Sequence, residues 1–265
     1  MKITTWNVNS VNVRLAHLEQ FLKEVSPTVV GLQELKSVSE KFPLEACEAL
    51  GYHAAVNGQL TYNGVALLSR FPMSDILFDL PGFEDSEKRV ISATINGVRV
   101  INAYVPNGQS PDSDKYQYKL NWLQHFKAFI EAQLQIYPEL IVIGDFNIAP
   151  TDDDVHDPKS WKGKVLCTDA EREAFFQLLD LGLIDALRIE AQPAGLFTWW
   201  DYRQNGFEKN SGIRIDHLLL STVVSRRFVT SKVHLEYRAM ERPSDHAPVS
   251  VLLKDREKDT DRVSK

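Results

Sequence analysis

Residues 140–150 read Leu-Ile-Val-Ile-Gly-Asp-Phe-Asn-Ile-Ala-Pro, and no other stretch restricts the fold as tightly. Four apolar residues in a row, mostly β-branched, predict a strand buried on both faces. Gly144 is expected to end the pairing. Asp145 and Asn147, two residues apart, point to the same side of an extended backbone. Pro150 keeps its predecessor extended and bars further regular structure. A carboxylate and a carboxamide are thus held side by side on a rigid strand end. Taken alone, Asp and Asn after a strand are more often turn formers bonding their own backbone. Only further polar strand ends can decide between the two readings.

Composition sets the limits on partners. The chain has 265 residues, 43% of them hydrophobic, enough for a large core as one sizeable domain or two small ones. No apolar run approaches a membrane span, and the start, Met-Lys-Ile-Thr-Thr-Trp-Asn, lacks a secretion signal. Cys47 and Cys167 make no disulfide framework and have no metal-ligand spacing, which fits a reducing cytoplasm. A net charge of −6 gives no bulk attraction to a polyanion, so any nucleic-acid contact requires a local basic face.

In chain order, residues 2–7 predict a strand ending at Asn7. Leu15, Leu18, Leu22 and Val25 keep helical spacing up to Pro27. A strand over 28–32 delivers Gln33 and Glu34. A short helix over 44–50 precedes a hairpin signalled by Asn63-Gly64, and a second hairpin surrounds Asn96-Gly97, its later strand ending at Tyr104. A long helix covers about 116–135. Residues 151–167 form a polar loop too long for a simple connector. Thr168 and Glu171 form a capping box ahead of a helix reaching about 181. Strands are expected over 197–202, 213–221, 234–238 and 248–253. Residues 1–253 read as a single domain, and 254–265 as a charged, disordered tail.

The polar strand ends are therefore Asn7, Glu34, Tyr104, Asp145, Asn147, Asp216, Asp245 and His246. Each alone has a dull explanation as a cap, turn or rim residue, but sheet proteins gather strand ends on one edge, where sites form. Trp6-Asn7-Val8-Asn9-Ser10, Leu32-Gln33-Glu34-Leu35-Lys36, Gly144-Asp145-Phe146-Asn147-Ile148-Ala149-Pro150, Ile215-Asp216-His217 and Ser244-Asp245-His246-Ala247-Pro248 occur in that order. This set resembles the ordered motifs of the exonuclease III / apurinic–apyrimidinic endonuclease family, from Met1 to about Leu253. The runs Phe-Thr-Trp-Trp-Asp-Tyr-Arg from Phe197 and Gly-Ile-Arg-Ile-Asp from Gly212 are similar to its bacterial exonuclease III branch.

The resemblance implies a four-layer α/β sandwich, two mixed β-sheets packed face to face with helices outside. The count of apolar strands and amphipathic helices agrees with it. It also implies a Mg²⁺-dependent phosphodiesterase of base-excision repair, with Mn²⁺ as the substitute metal, acting as a monomer. Its partner would be double-stranded DNA carrying abasic sites or 3′ ends. Glu34, assisted by Asn7, would hold the metal, and Asp245 would take a second metal or a bound water. Asp145 would deprotonate the attacking water and Asn147 would donate to a phosphate oxygen. His246 would also bond the phosphate, with Asp216 fixing its tautomer, and Tyr104 would complete the clamp.

For DNA contact the basic candidates are Arg89, Lys115, Lys119, Lys162, Arg203, Lys209 and Arg214, each of which also reads as a solvated charge. Trp199, Trp200 and Ile213 would form an apolar slot for a base-free sugar or an unstacked end, with core packing the better reading of Trp200. Ile213 is small enough to leave room, which predicts substantial 3′→5′ exonuclease activity beside abasic-site cleavage, unless Leu166 closes the slot. Alternatives are a mainly exonucleolytic enzyme with weak abasic cleavage, a phosphatase or sphingomyelinase-type phosphodiesterase, and a catalytically dead nucleic-acid-binding module.

Overall fold

In the computed structural model, which describes residues 1–256, the stretch from Leu140 to Asp145 is an inner strand buried along its whole length. Numbered in chain order, the strands are β1 (Lys2–Asn7), β2 (Val29–Gln33), β3 (His53–Asn57), β4 (Val65–Ser69), β5 (Met73–Phe78), β6 (Val90–Ile95) and β7 (Val98–Tyr104). They continue as β8 (Leu140–Asp145), β9 (Leu183–Asp185), β10 (Trp199–Trp200), β11 (Gly212–Ile213), β12 (Asp216–Ser221), β13 (Phe228–Val233) and β14 (Val249–Leu253). Among the described residues they form two six-stranded sheets, β13-β14-β1-β2-β4-β3 and β5-β6-β7-β8-β12-β9, and a short β10–β11 ladder. Both sheets are mixed, because β1 runs parallel to β2 and β7 parallel to β8 while their other neighbours are antiparallel.

Alternation along β8 explains the layering. Ile141 and Ile143 enter a core shared with Ile3, Val29, Leu67 and Val251 of the other sheet. Leu140 and Val142 point the opposite way, onto Phe126, Ile130 and Phe175 of helices Asp114–Ile136 and Asp169–Leu179. Helix Leu15–Glu24 covers the first sheet with Leu18, Phe21 and Leu22. The expected four-layer sandwich results. Truncating one of these buried Leu, Ile or Phe side chains to Ala should cost roughly 2–5 kcal/mol.

The sheets also touch through polar atoms. Asn102 on β7 crosses the interface and donates to the carbonyls of Leu32 and Ala66, both 2.9 Å away on the first sheet. It accepts from Gln33 Nε2 at 2.6 Å. Gly31 makes this approach feasible, since a Cβ there would lie 2.7 Å from Asn102 Oδ1.

Several elements differ from expectation. The Asn63-Gly64 hairpin exists, but β3 and β4 pair only from Asn57↔Val65 outward, leaving an open connection rather than a tight turn. The strand expected over 213–221 is two strands, because Arg214 is buried between acidic partners and the chain changes sheet there. Residues 235–238 form a short helix rather than a strand, and the strand lies just before it as β13. β5 and β13 carry mostly exposed residues, so neither produces the apolar run that marks an inner strand. The expected tail begins with three held residues. Lys254 N–H donates to Arg227 O at 2.7 Å, Asp255 pairs with the Met1 ammonium at 3.1 Å, and Arg256 pairs with Glu139 at 2.7 Å. Residues 257–265 lie outside the described residues.

Candidate active site

Strand polarity gathers the site. β1 and β2 are parallel and end together, Asn7 opposite Gln33, so Glu34 follows on the same edge. In the other sheet Tyr104 pairs with Asp145 at the ends of β7 and β8, and Asp216 opens β12 opposite Asp145. The approach to β14 passes over this edge, where Ser244 Oγ donates to Asn7 O at 2.6 Å and Trp6 Nε1 donates to His246 O at 3.2 Å. Asn7, Glu34, Asp145 and His246 therefore meet across the sheet interface. Glu34 and Asn147 both have φ 50°, a left-handed backbone that non-glycine residues adopt at a cost and that clusters at functional sites.

Asn7 is the bridge. Its Nδ2 donates to Glu34 Oε1 at 2.8 Å and to Asp145 Oδ2 at 2.9 Å. Asp145 Oδ1 accepts the Asn147 N–H at 2.9 Å. His246 Nδ1 lies 2.8 Å from Asp216 Oδ2, and its Nε2 lies 3.6 Å from Asp145 Oδ2. Asp145, Asp216 and His246 are all buried. Burial pushes the Asp145 carboxyl up, with His246 opposing and Asp216 adding, to about 7. Burial works against a charge on His246, but Asp216 and then Asp145 outweigh it and raise the imidazole to about 10. Burial holds the Tyr104 hydroxyl well above its usual range, and Glu34 and Asp145 add to this, so it stays a donor.

Glu34, Asp145 and His246 each present a ligand atom within 4.8 Å of one another, the cation-binding geometry found among the described residues. An imidazolium already facing two carboxylates offers no lone pair, so the donors that suit a hard cation are the carboxylate oxygens of Glu34 and Asp145. Two metal expectations need correction. The oxygen of Asn7 accepts from Asn9 N–H at 3.0 Å, which leaves its nitrogen facing the carboxylates. Asp245 stands apart from the cluster, its oxygens accepting from Asn9 Nδ2 and Trp199 Nε1, both at 2.9 Å. It orients Trp199.

Asn147 is held firmly. Its Nδ2 donates to Val105 O at 3.0 Å and its Oδ1 accepts from Asn107 Nδ2 at 3.1 Å, so each amide keeps one free N–H. Asn107 was not anticipated from sequence. Its signal is that it follows the end of β7 closely, as Asn147 follows β8.

The basic candidates divide. Arg89 stacks 5.0 Å over the Tyr104 ring and lines a groove of about 790 Å³ with Lys115, Tyr62 and Asn107. On the other side Trp199, Trp161, Arg203 and Lys209 line a second groove of about 470 Å³. Lys162 is exposed. Lys119 and Arg214 are not at the surface. Lys119 is fully buried against Glu171, and Arg214 is buried between Asp154 and Asp185, because each charge found acidic partners inside the fold. Ile213 is also corrected as a slot wall. It is fully buried in a cluster with Leu166, Val155 and Cys167. Trp200 is a core residue, as its better reading had it.

The match to known proteins agrees with this geometry. Residues 4–246 match the Endonuclease/Exonuclease/phosphatase family, and the chain belongs to it. Within that family its likeness is to exodeoxyribonuclease III. The Haemophilus influenzae protein of that name is 36% identical over 262 residues, covering 94% of this chain and 98% of its own. Two solved structures superpose closely. One is a 3′ phosphatase from Neisseria bound to a product DNA hairpin, 45% identical with a TM-score of 0.95, covering 96% of this chain and 99% of that one. The other is an AP endonuclease from Archaeoglobus fulgidus, 36% identical with a TM-score of 0.93, at the same coverage of 96% and 99%.

Proposed function

We propose that this chain is a metal-dependent DNA repair phosphodiesterase, trimming 3′ ends and cutting 5′ to abasic sites to leave a 3′-hydroxyl. The observation that carries the reading is the line Asp216–His246–Asp145 joined through Asn7 to Glu34. The chemistry requires it. A phosphodiester is anionic and repels a nucleophile, so it needs positive charge at its oxygens and a base for the attacking water. Mg²⁺ at Glu34, with Mn²⁺ as the substitute, would neutralise charge on the phosphate and the leaving oxygen.

Asp145 takes the proton from the water, whose oxygen forms the new bond to phosphorus as the bond to the 3′ oxygen breaks. His246, held cationic by Asp216, donates to a phosphate oxygen. Asn147, with Asn107 beside it, supplies a neutral N–H, and Tyr104 its hydroxyl. Arg89, Lys115, Arg203, Lys209 and Lys162 supply the local phosphate attraction that the acidic chain lacks overall. No helix among the described residues is long and apolar enough to cross a membrane. A monomer acting in the cytoplasm completes the proposal.

One observation favours the narrower reading, mainly 3′-end trimming. Leu166, itself buried and at φ 77°, packs with Ile213 where the open slot was expected. Less room there disfavours an abasic sugar turned out of a continuous strand. Nicking of an abasic duplex and shortening of a recessed 3′ end, each with and without Mg²⁺, test the function. Neither product with Mg²⁺ present would falsify it. Leu166→Gly suits the left-handed backbone and opens the slot, so the ratio of abasic nicking to trimming should rise. An unchanged ratio would place the restriction elsewhere.

A further inference from the structure

A fully buried ion pair stands between the phosphate-binding asparagines and the residue that closes the slot, and the reaction as described makes no use of it. Lys119 lies on helix Asp114–Ile136. Its ammonium donates to the backbone carbonyl of Asn147 at 2.7 Å, to that of Asn107 at 3.2 Å, and to Glu171 Oε1. Those bonds account for all the hydrogens the ammonium has. Glu171, in the first turn of helix Asp169–Leu179, uses the same Oε1 to accept the Leu166 N–H at 3.0 Å. Its Oε2 accepts from Thr168 N and Oγ1, at 3.0 and 2.7 Å. Both side chains have zero exposure.

Burying such a pair gains little net stability, and apolar residues of equal volume would fill the space as well. What apolar residues cannot do is hold three separate loops at fixed distances from one point. The loops concerned carry Asn107, Asn147 and Leu166, and the helices that present the pair are rigid and packed on the same core.

We propose that Lys119 and Glu171 are positioning residues that set the two asparagines for the phosphate and hold Leu166 over Ile213. One buried ion pair then governs both turnover and the choice between 3′ ends and abasic sites. The inference rests on reading the site as a DNA phosphodiesterase. It places the determinant of substrate choice beneath the slot rather than in its walls.

The test compares Lys119→Met/Glu171→Gln with Lys119→Gln/Glu171→Gln. Neither leaves a lone buried charge, and only the second keeps N–H donors for the carbonyls. With thermal unfolding as the control, kcat and KM are measured on a recessed 3′ end and on an abasic duplex. The Met variant should lose kcat by about 10–100-fold with KM little changed, as misplacement rather than lost binding predicts. The Gln variant should recover part of that kcat. Both should show an altered ratio of abasic nicking to trimming, because Leu166 has lost its carboxylate. A folded Met variant with wild-type kcat and ratio overturns the proposal, as does a wild-type ratio in the Gln variant. If neither double variant folds, the pair is structural and the positioning role is wrong. A wild-type enzyme inactive on both DNAs would instead sink the functional reading, whatever the variants do.

Discussion

Asp145 has no idle oxygen: one accepts a backbone N–H, and the other accepts from Asn7 and faces His246. A proposed base so fixed should be hard to replace. Asp145→Asn keeps the shape and removes proton acceptance, which by itself should slow turnover roughly 10²–10⁴-fold. DNA affinity should hold or rise, because a negative charge facing phosphate is gone. Near-normal turnover would remove Asp145 from the role. Glu34→Ala should act differently, by weakening the metal site. Its activity should return only at much higher Mg²⁺, and a normal Mg²⁺ titration would show the ligand to be another residue. The strand-end residues were legible because a polar group closing an apolar run is conspicuous. Lys119 and Arg214 were misread because a charge in a sequence does not reveal whether its partner is water or a buried carboxylate. The Asn7 amide orientation was illegible for a related reason, since only the Asn9 N–H decides it.

Elements hold these residues through a second buried network. Arg214, at the break between β11 and β12, binds Asp154 and Asp185, each at 2.6 Å, and donates to His217 Nδ1 at 3.1 Å. His217 Nε2 lies 2.9 Å from Ile148 O, so the imidazole is neutral with its proton on Nε2. Burial and then Arg214 lower His217 to about 4. Burial opposes the charge on Asp154, yet Arg214 and Arg188 hold it down to about 2. The signs agree. As pH falls from about 6.5 towards 4 the unfolded chain binds a proton at His217 that the fold refuses, and Asp154 repeats this between about 4 and 2. From pH 7 to 4 the wild type should lose on the order of 3 kcal/mol more stability than His217→Gln. Denaturant unfolding at a series of pH values measures it, and parallel curves would contradict it. This network also explains why the 151–167 loop was legible only as unusually long. Its order comes from Arg214, far along the chain, and local spacing carries no trace of that.

At the scale of the molecule the inner strands were plain in the sequence, and the edge strands β5 and β13 were not. An edge strand is exposed and needs no apolar run, so the pattern that betrays β8 is missing from them. The C-terminal boundary is similarly blurred, because residues 254–256 are tied to Met1, Arg227, Glu139 and Gly97 by contacts that composition cannot foresee. A chain ending at Leu253 should fold and retain its activity, since these contacts lie at the end of the sheets remote from Glu34. Exposed ion pairs of this kind contribute about 1 kcal/mol or less. With two such pairs removed, the melting temperature should therefore fall by no more than about 4–8 °C, which calorimetry can check. A truncated chain that unfolds or loses activity would make the terminal segment part of the domain. The division of the site between the sheets has a further meaning. Asn7 and Glu34 belong to one sheet and Tyr104, Asp145 and Asp216 to the other, so neither half carries a complete nuclease. A chain whose two sheets have not docked thus presents no complete set of these residues, so the proposed cutting of DNA depends on both being folded together.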